Sequence, residues 1–198
     1  MVDCVGGDNG RMDANVISDW LRAQPSLAGT APQLDLVSLP DNPVELFMTW
    51  ISDAVRAGVP EPHAATLATV DEGGLPDART LILKDVSERG WAVAGQRSSR
   101  KGAQLAAQPA AALNFWWQPV MRAVRVRGVV REATRAESDA DFAARSAAAR
   151  EGVTPGDWVL WRIEPARIEF WQGSPDRRHM RIVYTNDGST WSRSTSGA

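Results

Sequence analysis

Residues 78–105 read ARTLILKDVSERGWAVAGQRSSRKGAQL, and the rest of the chain is organised around them. An apolar strand carrying Arg79 and Lys84 meets the turn signal Glu88-Arg89-Gly90. A second strand, Trp91–Gly95, follows, and Ser98-Ser99-Arg100-Lys101 opens a helix. The first turn of a helix presents unpaired backbone N–H groups, so two cations and two hydroxyls at that point form an anion cradle suited to a phosphate. A basic helix start alone is commonly a solvated face. Here a further Arg and Lys sit on a nearby apolar strand, which a solvated face does not explain. Arg79 and Lys84 are five apart, and ideal alternation sends them to opposite faces. Both can serve one ligand only across a strand edge or through a bulge.

Outward from this stretch the pattern is mostly strands. Ala64–Val70 precedes it, joined by the turn Asp71-Glu72-Gly73-Gly74. After a short helix near 99–107 and a break at Gln108-Pro109, Ala111–Trp117 and Ala123–Val130 read as a hairpin around Gln118-Pro119. Residues 134–151 read as one Ala-rich helix, followed by strands near 157–163, 166–172 and 179–185 and a last one at Trp191. On the N-terminal side Asn42-Pro43 starts a helix that Gly58 ends, with Val44, Phe47, Ile51, Ala54 and Val55 on its apolar face. Residues 23–40 form an extended arm, Asp13–Leu21 a short helix, and residues 1–12 a disordered start in which Met12 is an alternative initiator. Six or more strands with few helices predict a mainly β fold with α (α+β), built as a closed or nearly closed antiparallel barrel. The domain reading is an arm over 1–38 and one domain over 39–198.

Composition excludes several classes. The chain has 198 residues, 43% of them hydrophobic, with a formal net charge of -2. It is long enough for one domain with a core of its own. Its single cysteine, Cys4, rules out an internal disulfide and a multi-thiolate metal site, and two histidines, His63 and His179, argue against a histidine-rich one. Arg125, Arg127 and Arg131 alternate along one strand, but on an acidic protein such a stripe reads as solvated or interfacial, not as a nucleic-acid surface. No apolar run is long enough to span a bilayer, so the expected location is cytoplasmic.

Four strings taken together carry a family resemblance: LATVDEGGLPDARTLILK at 67–84, SSRKGAQL at 98–105, NFWWQPVMRAVRVRG at 114–128 and IEFWQGSPDRRHMR at 168–181. The chain resembles the pyridoxamine 5'-phosphate oxidase family of FMN-dependent flavoproteins from about Leu39 to Trp191. The resemblance implies a split β-barrel, a homodimer with FMN at the subunit interface, and oxidation of a substrate carbon next to nitrogen or oxygen with O2 as acceptor. It gives Arg79, Thr80, Leu81, Ile82, Leu83 and Lys84 to the strand lining the flavin, with Arg79 on the FMN phosphate. It likewise gives Ala94, Gly95, Arg100, Lys101, Trp171 and Arg181 to the cofactor. Lys84, Arg145, Arg177 and His179 are its substrate residues, Arg177 and His179 holding the substrate over the flavin as the catalytic pair. No metal is implied.

The departures concern the substrate side. Ala123 stands where the family has a flavin-contacting Gln, Asp141 where it has a Tyr on the substrate phosphate, and Ala149 where it has a Ser. Ala94-Gly95 replaces a Tyr-Thr-like pair, and a Ser/Gln-rich segment after Arg150 is essentially missing. An acid against a phosphate is worse than a missing hydrogen bond, because like charges repel. These departures keep open a second reading, an FMN-dependent oxidase or dehydrogenase of secondary metabolism acting on a phenazine-type ring, and a third, a non-catalytic flavin-binding dimer. Asp141 is otherwise expected to be a solvated helix residue.

Overall fold

The structure, a computed structural model, describes residues 14–197. Cys4 and the expected disordered start over 1–12, with Met12 as an alternative initiator, lie outside them. In chain order the elements are α1 (Ala14–Arg22), α2 (Pro43–Arg56), β1 (Ala64–Val70), β2 (Pro76–Ile82), β3 (Asp85–Ser87), β4 (Gly90–Gln96), α3 (Arg100–Ala107), β5 (Ala110–Trp117), β6 (Arg122–Glu132), α4 (Arg135–Ala143), α5 (Ala147–Arg150), β7 (Trp158–Gln172), β8 (Met180–Asn186) and β9 (Trp191–Gly197).

Every pairing in the sheet is antiparallel, in the order β2-β1-β5-β6-β7-β4-β3, with β8 on β7 and β9 on β8. The two ends of that path are one piece of chain. β2 pairs with β1 as far as Ile82, and β3 pairs with β4 from Asp85. Between them the Leu83 N–H donates to the His63 carbonyl at 2.9 Å and the Lys84 N–H to the Ala92 carbonyl at 2.8 Å. The segment therefore changes partners at Leu83–Lys84 and closes the sheet on itself, which removes the open edges that β1 and β4 would otherwise present.

Local sequence accounts for the elements. β1 alternates, burying Ala65, Leu67 and Thr69, whereas β4 is an almost continuous buried run that crosses the core. The Asn42 side chain accepts the Val44 N–H at 2.9 Å, capping α2, with Pro43 in the first turn. The inward face of α2 is Pro43, Leu46, Phe47, Trp50 and Ala54. Val55, expected inside, is exposed, because Leu46 and Trp50 outcompete it for the core side. Inside the barrel Phe47, Trp91, Phe115 and Trp117 pack with ring centroids 4.4–5.9 Å apart.

Three boundaries differ from expectation. The expected single strand over 78–84, carrying both Arg79 and Lys84, ends at Ile82, and Lys84 lies in the crossing to β3, where the chain changes partners. The expected single helix over 134–151 is two, because Ser146 caps a new start by accepting the Ala149 N–H at 3.2 Å. The expected strands 157–163 and 166–172 are one 15-residue strand, β7. Pro165 does not end it, because the β6–β7 register shifts between Arg127 and Gly128, and a bulge tolerates a residue without an N–H donor. The arm over 23–40 drapes on its own barrel. Thr30 N–H donates to the Pro119 carbonyl at 2.8 Å, and the Tyr184 hydroxyl to the Pro40 carbonyl at 2.6 Å.

At the bulge a Cβ on Gly128 would lie 1.8 Å from the Glu164 carbonyl oxygen. Backbone cannot move aside as a flexible side chain can, so Gly128→Ala is expected to cost roughly 3 kcal/mol. Urea denaturation should show a lower midpoint at an unchanged slope.

Candidate active site

Three groups of side chains hold the residues singled out in the sequence. The first lies where β2 meets the start of α3. Arg79 and Asp77 are two apart on β2 and so share a face. Arg79 Nη2 sits 2.8 Å from Asp77 Oδ2 and donates to Gln104 Oε1 at 2.9 Å, and Arg79 Nη1 donates to the Thr69 hydroxyl. Arg100 Nε reaches the same Asp77 oxygen at 3.1 Å. Thr69 and Gln104 are buried and bonded to each other at 2.6 Å, which holds the guanidinium from behind. Lys101 Nζ donates to the Ser99 hydroxyl at 3.0 Å, while Ser99 also caps α3. A Cβ on Gly95 would come within 2.5 Å of the Lys101 tip, so the glycine makes room for that ammonium. Burial holds Lys101 below the ordinary lysine pKa, and neighbouring Arg79 lowers it further while Asp157 raises it. An anion bound against this ammonium would stabilise its charge.

The second group sits where the chain switches strands. Lys84 Nζ lies 3.9 Å from Asp141 Oδ1, and Asp141 Oδ2 accepts the Trp158 indole N–H at 2.8 Å. Arg145 stacks over the Trp158 ring at 4.1 Å and donates to the Ala149 carbonyl from Nε at 3.2 Å and Nη2 at 2.9 Å. The expected solvated Asp141 is thus a mostly buried carboxylate, its side chain 15% exposed, because α4 packs that face on β7. Ala94 lies in the same region, buried with Trp158 and Leu160. Leu81 and Leu83 pack against the barrel core, leaving Thr80 outside and Ile82 half-buried.

The third group lies on β7 and β8. Trp171 is in register with Arg181 and with Ala123, and the small residue at 123 lets Trp116, its partner on β5, reach across to Trp171. Trp171 packs against His179 at 4.9 Å and exposed Trp116 at 6.0 Å between centroids. His179 Nδ1 accepts the Ser174 N–H at 3.1 Å, which puts the proton of the neutral ring on Nε2. Arg177 is exposed, with φ of 67°. Asp176 braces this turn by accepting from the Ser174 hydroxyl and the Arg178 N–H, contacts that hold its carboxyl at about 2. Arg181 Nε lies 3.6 Å from Glu169, which Arg125 and Arg167 also bind. Burial pushes the Glu169 carboxyl up, and hydrogen bonds from Arg167 and Arg125 more than offset it, leaving it below its ordinary value.

Among the described residues no hydrogen bond or ion pair joins the first group to the third. No cluster of three or more His, Cys, Asp or Glu there could hold a metal, and no helix is long and apolar enough to cross a membrane. Sequence reasoning missed Asp77, Thr69, Gln104 and Asp176, the residues that aim the cations. The period-two spacing of Asp77 and Arg79 was the one signal available.

Residues 51–172 match the family profile described as pyridoxamine 5'-phosphate oxidase. The chain belongs to the pyridoxamine 5'-phosphate oxidase family. Residues 158–195 also match the pyridoxine 5'-phosphate oxidase C-terminal dimerisation region, which supports association of two chains. A pyridoxine/pyridoxamine 5'-phosphate oxidase of Thermosynechococcus vestitus is 39% identical over 184 positions, covering 77% of this chain and 87% of its own. One of Polynucleobacter asymbioticus is 36% identical over 193 positions, covering 82% and 92%. The first alignment is longer than the stretch of this chain that it covers, so the relative carries residues without a counterpart here. Among solved structures, PhzG from Burkholderia lata 383, in complex with tetrahydrophenazine-1-carboxylic acid, superposes with a TM-score of 0.78 at 24% identity over 86% of this chain and all of that one. A pyridoxamine 5'-phosphate oxidase-related, FMN binding protein from Nostoc punctiforme gives 0.67 at 20% identity over 81% and 99%. The split barrel expected from the four strings is therefore the fold. Membership of this family makes the protein a flavin-dependent oxidoreductase.

The second group depends on α4 staying docked. Glu137 reciprocates the Thr134 cap and binds Arg162 at 2.9 Å, and hydrogen bonds from Thr134 and then Arg162 hold its carboxyl at about 2, against 4.5 ordinarily. A depressed carboxyl stabilises the fold above the ordinary value and loses that contribution as pH falls through the lowered one. The stability difference between the wild type and Glu137→Gln should be constant above about pH 4.5 and close towards pH 2, read by urea denaturation across that range.

Proposed function

We propose that this protein is an FMN-dependent oxidase of the pyridoxamine/pyridoxine 5'-phosphate oxidase type, working as a homodimer. It oxidises a ring substrate at a carbon bearing nitrogen or oxygen and passes the electrons to O2. The observation that carries this reading is the Arg79, Arg100 and Lys101 set at the start of α3. Arg79 and Arg100 share one carboxylate, and among the described residues Lys101 donates to the Ser99 hydroxyl beside the Trp161 ring, with no carboxylate in ion-pair range. Two guanidiniums and an ammonium beside helix N–H groups fit the dianionic phosphate of FMN.

The flavin, when bound, supplies the two-electron chemistry. The protein's own residues bind and orient. Arg79, Arg100 and Lys101 hold the phosphate, with Gly95 leaving space for Lys101. Residues 80–83 line the ring with backbone and with the outward side chains of Thr80 and Ile82, since Leu81 and Leu83 pack on the barrel core. Trp171 and Arg181 offer an aromatic wall and a cation from β7 and β8. Since the first and third groups are not bonded within one chain, a dimer that brings the third group of one protomer to the first of its partner completes the site. Arg177 and the Nε2–H of His179 hold the substrate against the flavin, on a turn that Asp176 stiffens. A substrate held in this way needs little acid–base machinery.

Arg79→Ala and Lys101→Ala each remove a charge-assisted partner worth ~1.5–3 kcal/mol, so FMN affinity should fall tenfold or more in either, measured by quenching of flavin fluorescence. Full flavin occupancy in both would place the phosphate elsewhere. Arg177→Ala should keep FMN and lose turnover. Anaerobic addition of pyridoxine and pyridoxamine, each with and without its 5'-phosphate, should bleach the flavin absorbance with at least one of the four. Flavin that binds and stays oxidised with all of them refutes the oxidase reading.

A further inference from the structure

Lys84 and Arg145 are the two cations expected to meet the substrate's phosphate, and both are already engaged. Asp141 faces Lys84 at 3.9 Å and is fixed there by the Trp158 indole N–H at 2.8 Å. Its side chain is 15% exposed, so its charge is poorly screened. Arg145 lies on the same Trp158 ring and spends Nε and Nη2 on the Ala149 carbonyl. Those two nitrogens form the fork a phosphate would take bidentately. Residue 149 has no side-chain donor to add, and its carbonyl acts instead as the acceptor that turns Arg145 inward. The contrast with the first group is direct. There two arginines share one acid and a lysine stands beside them, whereas here one acid compensates the lysine and a backbone carbonyl occupies the arginine.

We infer that this cluster of side chains selects a ring substrate whose polar arm ends in a hydrogen-bond donor, a hydroxyl or an ammonium, and not in a phosphate, with Asp141 as the specificity-determining residue. A donor can bond to Asp141 and leave Arg145 where it lies. A dianion would have to face the carboxylate and pull Arg145 off both its ring and its carbonyl. The inference rests on the proposed oxidase reading for its choice of substrate frame and on the Lys84–Asp141–Trp158–Arg145 geometry for its selectivity.

Equilibrium dialysis of the FMN-loaded protein against pyridoxine and pyridoxine 5'-phosphate tests it. The wild type should bind pyridoxine at least as tightly as its phosphate. Asp141→Asn keeps an acceptor for the Trp158 N–H and removes the charge, so it should shift the ratio of the two dissociation constants at least tenfold towards the phosphate. A wild type that prefers the phosphate overturns the inference, as does an Asn variant with an unchanged ratio or a protein that binds neither compound. The wild-type ratio is decisive alone if the variant fails to fold. Flavin reduction in the same samples separates the two readings: selective binding without reduction by either compound refutes the oxidase and leaves the selectivity standing.

Discussion

The change of partner at Leu83–Lys84 is the constraint on which the rest of the structure depends. A strand that leaves β1 after Ile82 and joins β4 at Asp85 must bend between them, and the bend is secured by hydrogen bonds to the His63 and Ala92 carbonyls. Closure follows from it, and so does the placement of charge. Regular alternation would have put Arg79 and Lys84 on opposite faces. Because the strand is interrupted between them, each answers to a different neighbour. Arg79 turns to α3 and Asp77, and Lys84 to α4 and Asp141. One bend thus generates two cationic sites a few residues apart, one built around a helix start and the other around a helix face.

The two sites differ in how far the protein satisfies them itself. Buried polar groups are costly unless bonded, and a buried cation more so. In the first site Thr69 and Gln104 bond to one another and to Arg79, which fixes the guanidinium's direction, while the one carboxylate of Asp77 is shared by Arg79 and Arg100 and leaves the site cationic. In the second, Asp141 neutralises. In the third group Glu169 draws Arg125, Arg167 and Arg181 together, one carboxylate among three guanidiniums, so that cluster keeps a net positive charge. The alternating arginines of β6 are therefore mostly paired, Arg125 with Glu169 and Arg131 with Glu164, and do not form a continuous cationic stripe.

Much of this was legible in the chain. Strand β1, the cap at Asn42, the turn at Gly90 and the basic start of α3 each rest on local rules that the structure obeys. The misreadings share one cause, that tertiary pairing overrides local punctuation. Pro165 looked like a strand end until a bulge accommodated it, and Ala-rich 134–151 looked like one helix until Ser146 found a second capping position. Val55 fitted the periodicity of α2 and lost to Trp50, whose larger surface gains more from burial. Side-chain acceptors were the hardest to foresee, because Asp77, Gln104 and Asp176 become significant only through partners distant in sequence or through the geometry of a turn.

Asp141 shows the same limit from the other direction. Its place on a helix suggested a solvated carboxylate, and only the docking of α4 on β7 brings it to Trp158 and Lys84. Two unit charges about 4 Å apart interact by ~4 kcal/mol at the effective dielectric of a protein surface, so a carboxylate held beside Lys84 roughly cancels what that lysine could offer an incoming anion. The two cationic sites are thus tuned in opposite senses within one strand segment. Nothing in the fold forces that divergence, since the barrel closes the same way whatever stands at 141. The cradle's residues are tied to the barrel by Thr69 and Gln104 and are hard to change alone, whereas residue 141 sits on a peripheral helix and can change with little effect on the core. On the proposed function, selectivity for the substrate can therefore drift in this architecture while the residues proposed to hold the flavin stay put.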